Sequence, residues 1–266
     1  ILKKIDFKIS KIVIFKISEI LNRDKKSWYE AQLVKSSLVG RFRGFRQCFP
    51  RHSNRLDTQK ASPGALESWQ LVDEVLKKYW GFSSFREPQE QIIQQALDKK
   101  DSLVLLPTGG GKSVCFQVPA LINDGICIVV SPLIALIKDQ VNALKDKGIK
   151  AIALTSGLKY TEVDSLLDNC IYGNYKFLYL SPERLQQDLV QERIKAMNVN
   201  LIAIDEAHCI SQWGNDFRPA YRNTAVLKEL LPETPVMALT ASATKMVAED
   251  IIENLHLKNP ITIKKS

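Results

Sequence analysis

The stretch LVLLPTGGGKS, residues Leu103–Ser113, decides the fold that this sequence predicts. Four aliphatic residues are followed by three consecutive glycines at 109, 110 and 111, and then by an apolar pattern with helical spacing. Glycine allows backbone N–H groups to approach a phosphate closely, and a helix N-terminus adds a partial positive charge. The stretch therefore predicts a strand, a phosphate-binding turn and a helix. A three-glycine turn before an ordinary helix is the alternative.

Short apolar runs recur along the chain and alternate with amphipathic helical patterns. The predicted strands are Leu103–Leu106, Ile126–Ser131, Ala151–Leu154, Phe177–Leu180, Leu201–Ile204 and Val236–Leu239. The predicted helices are Leu66–Tyr79, Glu87–Leu97, Leu133–Lys147, Thr161–Ile171, Pro182–Lys195 and Lys245–Leu255. This order predicts an α/β fold with a mostly parallel sheet and helices on both faces, in which ligands gather at the carboxyl ends of the strands.

Charge is distributed unevenly along the chain. Residues 1–60 contain 15 Lys and Arg against 5 Asp and Glu, whereas residues 61–266 contain 22 against 24. The sequence predicts a basic leader or linker over residues 1–64, to which no function is assigned. Its start could be an amphipathic helix, a strand pair or a basic arm, and the segment could also be disordered or not native to the domain. A nucleotide-binding domain follows over residues 65–258, and residues 259–266 begin a further linker. Phe42, Phe45 and Phe49 lie among arginines and could stack on single strands, or belong to a solvated tract.

Composition also indicates the cellular compartment of the protein. The first 21 residues contain too many lysines for a membrane span and lack the features of a signal peptide, so no membrane partner is expected. The five cysteines form no CxxC pair and have no histidine at zinc-type spacing. They predict reduced thiols in an intracellular protein and no zinc in this segment.

Paired carboxylates, Asp205 and Glu206, follow the predicted strand Leu201–Ile204. Both are expected at the same sheet edge as the phosphate turn. Lys112 is predicted to contact the β- and γ-phosphates, Ser113 and Asp205 to hold Mg²⁺, and Glu206 to orient and deprotonate the attacking water. Two acids at a strand end also occur as helix caps or surface residues.

Aromatic and basic residues flank these motifs. In the loop after the acids, Trp213 and Phe217 could stack on bases and Arg218 could bind a phosphate, with core packing of the two rings as the alternative. Upstream, Gln89 could read the adenine edge while Phe82 and Arg86 sandwich its face, although the same pattern is that of an ordinary surface helix start. An ATP-driven nucleic-acid motor is the leading hypothesis.

Six segments together resemble the RecQ family of superfamily 2 DNA helicases, over roughly residues 71–257. They are GFSSFREPQEQII, PTGGGKSVCFQVPAL, VVSPLIALIKDQV, LYLSPERL, DEAHCISQWGNDFRPAY and ALTASAT. The run CISQWG-DFRP after DEAH is absent from RNA helicases that carry the same four letters. The resemblance implies a RecA-like P-loop NTPase domain and covers only the family's N-terminal motor half. The chain departs from the family pattern at Asn215, Ala220 and Ser242.

The resemblance also implies roles for individual residues. ATP would be held by Phe82, Arg86, Gln89, Thr108, Gly109, Gly110, Gly111, Lys112 and Ser113. DNA binding, and its coupling to ATP, would involve Ser131, Lys138, Arg184, His208, Gln212, Trp213, Phe217, Arg218, Thr240 and Ser242. The implied cofactors are ATP and Mg²⁺, and the implied partner is single-stranded or branched DNA.

The resemblance finally implies 3′-to-5′ unwinding in DNA recombination and repair, in the bacterial cytoplasm or nucleoid, or in a eukaryotic nucleus. Because a second RecA-like domain would supply a trans-acting arginine, very slow hydrolysis and no unwinding are expected from this polypeptide alone. The alternatives are a truncated module that binds ATP or single-stranded DNA without catalysis, and an RNA helicase, which the loop after DEAH disfavours.

Overall fold

The computed structural model describes residues 63–214 and 216–264, with side chains from residue 69 onward. The predictions for residues 1–62, including the three phenylalanines and Cys48, lie outside the described residues, as does Asn215. Within the described part, seven strands form one sheet in the order β3-β4-β2-β5-β6-β1-β7. Every pairing between them is parallel, as the sequence predicts.

The elements alternate along the chain. The strands are β1 (Ser102–Leu105), β2 (Ile126–Val130), β3 (Ala151–Leu154), β4 (Phe177–Leu180), β5 (Val199–Ile204), β6 (Val236–Thr240) and β7 (Ile261–Lys264). The α-helices are α1 (Pro63–Trp80), α2 (Gln89–Leu97), α3 (Lys112–Ile122), α4 (Ile134–Asp146), α5 (Tyr160–Tyr172), α6 (Asp188–Lys195), α7 (Val226–Leu230) and α8 (Lys245–Asn254). Short 3₁₀ helices span Pro182–Gln186, Ala207–Ile210 and Pro219–Ala225.

The core lies on both faces of the sheet, because successive side chains of a strand point to opposite sides. Leu103 and Leu105 of β1 belong to a buried cluster with residues of α5, α6, α7 and α8. Val104, between them, and Leu106 belong to a second cluster with residues of α2, α3 and α4. The predicted arrangement of helices on both faces is therefore confirmed, and it explains why the inner strands are mainly apolar.

Two elements differ from the sequence predictions. The predicted helix Pro182–Lys195 is interrupted at Gln187, whose backbone is extended (φ −86°, ψ 120°). There the guanidinium of Arg184 donates to the backbone carbonyl of Thr155 and to Gln187 Oε1, which holds the preceding 3₁₀ turn against the end of β3. The second difference is β7, an additional strand that pairs with β1 in the segment assigned from the sequence to a linker.

None of the helices among the described residues combines the length and the apolar character needed to cross a membrane.

Candidate functional site

The glycine turn lies at the carboxyl end of β1 and leads directly into α3. Gly109 and Gly111 have positive φ angles of 76° and 79°, which side chains other than glycine rarely adopt. A Cβ at Gly111 would also overlap with the amide nitrogen of Gln89. The sequence prediction of a strand, a glycine turn and a helix is confirmed, and two of the three glycines are required by backbone geometry.

Free backbone N–H groups line this turn. Among the described residues, the amides of Gly109, Gly111 and Lys112 donate to no protein acceptor. Unsatisfied amides at a helix N-terminus, together with the helix dipole, form a ready anion site. The turn therefore fits a phosphate group. The hydroxyl of Ser113 in the first turn of α3 and the carboxylate of Asp205 are hard oxygen ligands of the kind that Mg²⁺ prefers.

Lysine and acid meet across the sheet edge, as predicted. Lys112 Nζ lies 3.2 Å from Glu206 Oε1, although 94 residues separate them in the chain. This contact arises because β5, which ends at Ile204, and β1 are separated in the sheet only by β6. The carboxylate of Glu206 thus forms an ion pair with the Lys112 ammonium, the group that is predicted from the sequence to contact the phosphates.

Glu206 has a left-handed backbone (φ 47°, ψ 46°), a sparsely populated conformation for a non-glycine residue. Its other carboxylate oxygen, Oε2, lies 3.4 Å from His208 Nδ1. The same Nδ1 lies 2.9 Å from Thr240 Oγ1 at the end of β6. Side-chain contacts therefore run without a gap from Lys112 through Glu206 and His208 to Thr240.

Asp205 is 6% exposed and is held from two sides. Its Oδ1 accepts a hydrogen bond from the Glu206 amide at 3.0 Å. Its backbone carbonyl accepts one from the hydroxyl of the fully buried Tyr221 at 2.7 Å. No role was predicted for Tyr221 from the sequence. The signal that could have pointed to it is its place at the end of the run FRPAY. Residues 211–218, which carry Trp213 and Phe217, form the aromatic loop. Tyr221 lies in the 3₁₀ helix that follows this loop, and its hydrogen bond anchors the end of the loop beneath the acidic pair.

Asp205→Asn is expected to stabilise the nucleotide-free protein. Burial, reinforced by the Glu206 charge, raises the pKa of Asp205 above its ordinary value. Its contribution to folding stability is therefore fully present below the ordinary pKa and is lost as pH rises through the raised pKa. At neutral pH the neutral amide removes that penalty, and each kcal/mol gained raises the melting temperature by about 2–4 °C.

Thermal unfolding of Asp205→Asn at neutral and acidic pH, beside the exposed control Asp98→Asn, measures this effect. The gain should shrink as pH falls toward the ordinary carboxyl range. A gain that grows toward acid, or that equals the gain in the control, would contradict the assignment.

The predicted adenine-binding residues lie next to the glycine turn. Gln89 is buried at the start of α2; its Oε1 accepts from the Arg86 amide at 2.8 Å, and its Nε2 approaches the carbonyl of Gly111 at 3.3 Å. Phe82 is 51% exposed, and Arg86 is also exposed. Both side chains are free to contact a base, whereas Gln89 would have to exchange protein hydrogen bonds for those of adenine.

The aromatic loop presents Trp213 to solvent with 69% of its surface exposed, so the alternative of core packing does not hold for this ring. Gln212 is exposed, and Phe217 is partly buried with the Arg222 guanidinium 5.5 Å from its ring centre. Arg218 donates to the carbonyl of Pro132 at 3.3 Å, which ties the loop to the end of β2. A cavity of about 660 Å³ lies beside Trp213, next to His208 and Ser242.

Two residues assigned from the resemblance to DNA binding and its coupling are buried in the structure. Ser131 is 1% exposed, and Arg184 is 8% exposed with its guanidinium bonded to Thr155 and Gln187. Their part in DNA binding stays a prediction, and in this structure contact with a strand would require each side chain to become exposed. Lys138, by contrast, is exposed on α4. Thr240 is fully buried, and its Oγ1 contacts both His208 Nδ1 and the backbone of Ser242.

Comparison with known proteins decides the family. The model of the family described as DEAD/DEAH box helicase matches residues 86–251, which is more than half of the chain. The chain belongs to the DEAD/DEAH box helicase family. Within this helicase family it is similar to the ATP-dependent DNA helicase RecQ of Haemophilus influenzae, with 47% identity over 185 residues, covering 70% of this chain and 30% of the relative. RecQ of Bacillus subtilis is 44% identical over 191 residues, covering 71% and 32%.

The predicted resemblance to RecQ is thus confirmed, and the helicase chain spans about a third of the length of these curated relatives. Solved structures agree on the fold. The Hef helicase domain of Pyrococcus furiosus superposes with a TM-score of 0.52 at 23% identity, covering 67% of this chain and 37% of that one. The DUF1998 helicase MrfA gives a TM-score of 0.57 at 16% identity, covering 74% and 32%.

Proposed function

We propose that this chain is the ATP-binding half of an intracellular ATP-dependent DNA helicase that unwinds with 3′-to-5′ polarity in recombination and repair. The observation that carries the proposal is the continuous set of contacts from Lys112 through Glu206 and His208 to Thr240, with the exposed Trp213 on the adjoining loop. These contacts connect a phosphate site to a surface suited to single-stranded DNA.

In this proposal, the amides of the glycine turn and Lys112 bind the β- and γ-phosphates. Ser113 and Asp205 hold Mg²⁺, which when bound supplies charge neutralisation at the phosphates. Phe82 and Arg86 hold the base, and Gln89 joins them when its amide leaves the glycine turn. Glu206 orients the attacking water and accepts its proton.

Release of Glu206 from Lys112 is the step that couples binding to chemistry. In the structure the Lys112 ammonium and the Glu206 carboxylate form an ion pair, and this pairing competes with the action of the carboxylate on a water. A triphosphate competes for the same ammonium and frees the carboxylate. Because His208 contacts the other oxygen of Glu206, any movement of the loop that carries Trp213 is transmitted to the carboxylate through His208.

Turnover by this chain alone is expected to be very slow. A trans-acting arginine contributes about 10³–10⁵ in rate in related phosphoryl transfers, and in the proposed whole protein a second RecA-like domain supplies it. DNA unwinding by this polypeptide as the sole protein should therefore be undetectable, while ATP and single-stranded DNA still bind.

Trp213→Ala tests the DNA surface. Stacking of one base on an aromatic ring contributes about 1–3 kcal/mol, so affinity for single-stranded DNA should fall by about 5- to 150-fold. The measurement is fluorescence anisotropy of a labelled oligonucleotide. Tyr172→Ala is the matched control, because Tyr172 is 75% exposed at the end of α5, away from this loop.

Both substituted side chains are exposed, so neither change should lower the melting temperature. Equal loss of affinity in the two variants would remove Trp213 from the DNA surface. Tighter binding of an RNA oligonucleotide than of the DNA would contradict the assignment to DNA.

A further inference from the structure

Three potential metal ligands meet at the base of the aromatic loop. Cys209 Sγ lies 3.8 Å from His208 Nε2 and 3.7 Å from Asp216 Oδ2. All three donor atoms lie within 4.8 Å of one another. His208 and Cys209 precede the loop and Asp216 lies near its end, so the cluster joins the two ends of the segment that carries Trp213.

These separations suit a tetrahedral zinc ion. With Zn–S of about 2.3 Å and Zn–N or Zn–O of about 2.0–2.2 Å, ligand atoms in a tetrahedral site lie about 3.3–3.6 Å apart. The two distances to Cys209 Sγ exceed that range by only a few tenths of an ångström. The donor atoms of His208 and Asp216 lie within 4.8 Å of each other and would have to approach to the same range, which rotation of the exposed Asp216 side chain allows. One nitrogen, one sulfur and one carboxylate oxygen are all ligand types that zinc accepts.

Hydrogen bonding fixes which histidine nitrogen faces the cluster. Glu206 Oε2 lies 3.4 Å from His208 Nδ1, and a carboxylate oxygen can only accept a hydrogen bond, which favours a proton on Nδ1. Thr240 Oγ1, 2.9 Å from the same nitrogen, can accept as well when its own proton goes to the carbonyl of Ser242 at 3.1 Å. The lone pair of Nε2 is left pointing toward Cys209. A histidine whose second nitrogen is held by a hydrogen bond in this way is the usual arrangement of a zinc ligand.

The interactions that now hold the other two ligands, Cys209 and Asp216, are weak. The Arg218 guanidinium lies 3.4 Å from Asp216 Oδ2, longer than the 2.7–2.9 Å or so typical of a charge-assisted hydrogen bond. The Cys209 thiol donates only a weak, long hydrogen bond to the same oxygen. Burial raises the pKa of this thiol to about 12, so it is protonated in the metal-free protein.

We propose that His208 Nε2, Cys209 Sγ and Asp216 Oδ2 bind one zinc ion, with a water molecule as the fourth ligand. The thiol proton passes to solvent and the thiolate donates an electron pair to the metal, so no oxidation or reduction occurs. Zinc would fasten the two ends of the aromatic loop together. The prediction of no zinc in this segment rests on the spacing of cysteines and histidines along the chain, which takes no account of Asp216.

The test is titration of the metal-free chain with Co²⁺, followed by displacement with Zn²⁺. One equivalent of Co²⁺ should produce a thiolate-to-cobalt charge-transfer absorption that Zn²⁺ abolishes. Cys209→Ser should remove this absorption, and Asp216→Asn should weaken Zn²⁺ binding by more than about 100-fold. Cys170→Ser, which replaces another buried thiol, should behave as the unmodified chain.

A second control removes a competing pair. Cys48 and His52 lie outside the described residues, and Cys48→Ser must leave the absorption intact if the proposal is correct. If Cys209→Ser fails to fold, the exposed Asp216→Asn decides the outcome: Zn²⁺ should raise the melting temperature of the unmodified chain and not that of the variant. Absorption that survives Cys209→Ser, or disappears in Cys48→Ser, would overturn the proposal.

Discussion

Replacement of Asp101 by alanine is expected to lower the free energy of unfolding by about 3–5 kcal/mol, because it leaves a buried lysine without its counterion. Asp101 precedes β1, and its side chain is 3% exposed. Its Oδ1 accepts from Lys228 Nζ at 3.0 Å and from the Val236 amide at 2.8 Å, and its Oδ2 accepts from the Lys258 amide at 2.7 Å. One carboxylate therefore fastens the starts of β1 and β6 to the segment before β7.

Urea unfolding of Asp101→Ala beside Asp98→Ala measures the effect against a matched control. Asp98 pairs with Lys100 at 3.3 Å, but these two side chains are 37% and 56% exposed, so its loss should cost about 0–1 kcal/mol. Adding Lys228→Met to Asp101→Ala should restore part of the lost stability, because the unpaired buried charge is removed with it. Equal losses for the two aspartates would show that the buried pair contributes no more than a surface pair.

The second large effect is expected in ATP binding by Lys112→Ala. The Lys112 side chain is only 13% exposed, and a hydrogen bond from a charged group contributes about 1.5–3 kcal/mol. Its loss should weaken binding of MgATP by about 10- to 150-fold. Equilibrium binding of a fluorescent, non-hydrolysable ATP analogue measures this affinity.

Glu206→Gln is the comparison variant, because it is expected to leave the affinity for the ATP analogue unchanged or to raise it, whereas Lys112→Ala is expected to lower that affinity. Both variants break the same ion pair between Lys112 and Glu206, so any general disturbance of the site is shared. Glu206→Gln, however, frees the ammonium and removes a negative charge near the triphosphate, and its affinity for the analogue should equal or exceed that of the unmodified chain. A loss of affinity in both variants would mean that the ion pair supports the site structurally and that Lys112 does not contact phosphate.

The elements of the inner sheet could be predicted because their information is local. Strands such as β2 and β4 are apolar at every position, since helices cover both faces, and short apolar runs between helical patterns reveal them. The edge strand β7 was missed because only Ile263 of its four residues is buried. The break at Gln187 was missed because it depends on hydrogen bonds from Arg184, including one to Thr155, which is distant in sequence.

The candidate site divides in the same way. The placement of Lys112 and Glu206 at one edge of the sheet was predicted because both follow strands of a parallel sheet, but their direct ion pair was not. The assignment of Ser131 and Arg184 to DNA binding and its coupling came from motif resemblance, which gives the position of a residue along the chain but not its exposure. Both side chains are buried, and burial depends on what the rest of the fold places above a residue.

The sequence by itself determined the parallel α/β fold, the phosphate turn and the helicase family, because each follows from residues that are neighbours along the chain or from strand order. Only the tertiary structure decided the contact of His208 with Thr240, the anchoring of Asp205 by Tyr221, and the meeting of His208 and Cys209 with Asp216. These features depend on distances of a few ångströms between side chains on different loops. Such distances are set by how the loops pack, and residue spacing along the chain carries no record of them.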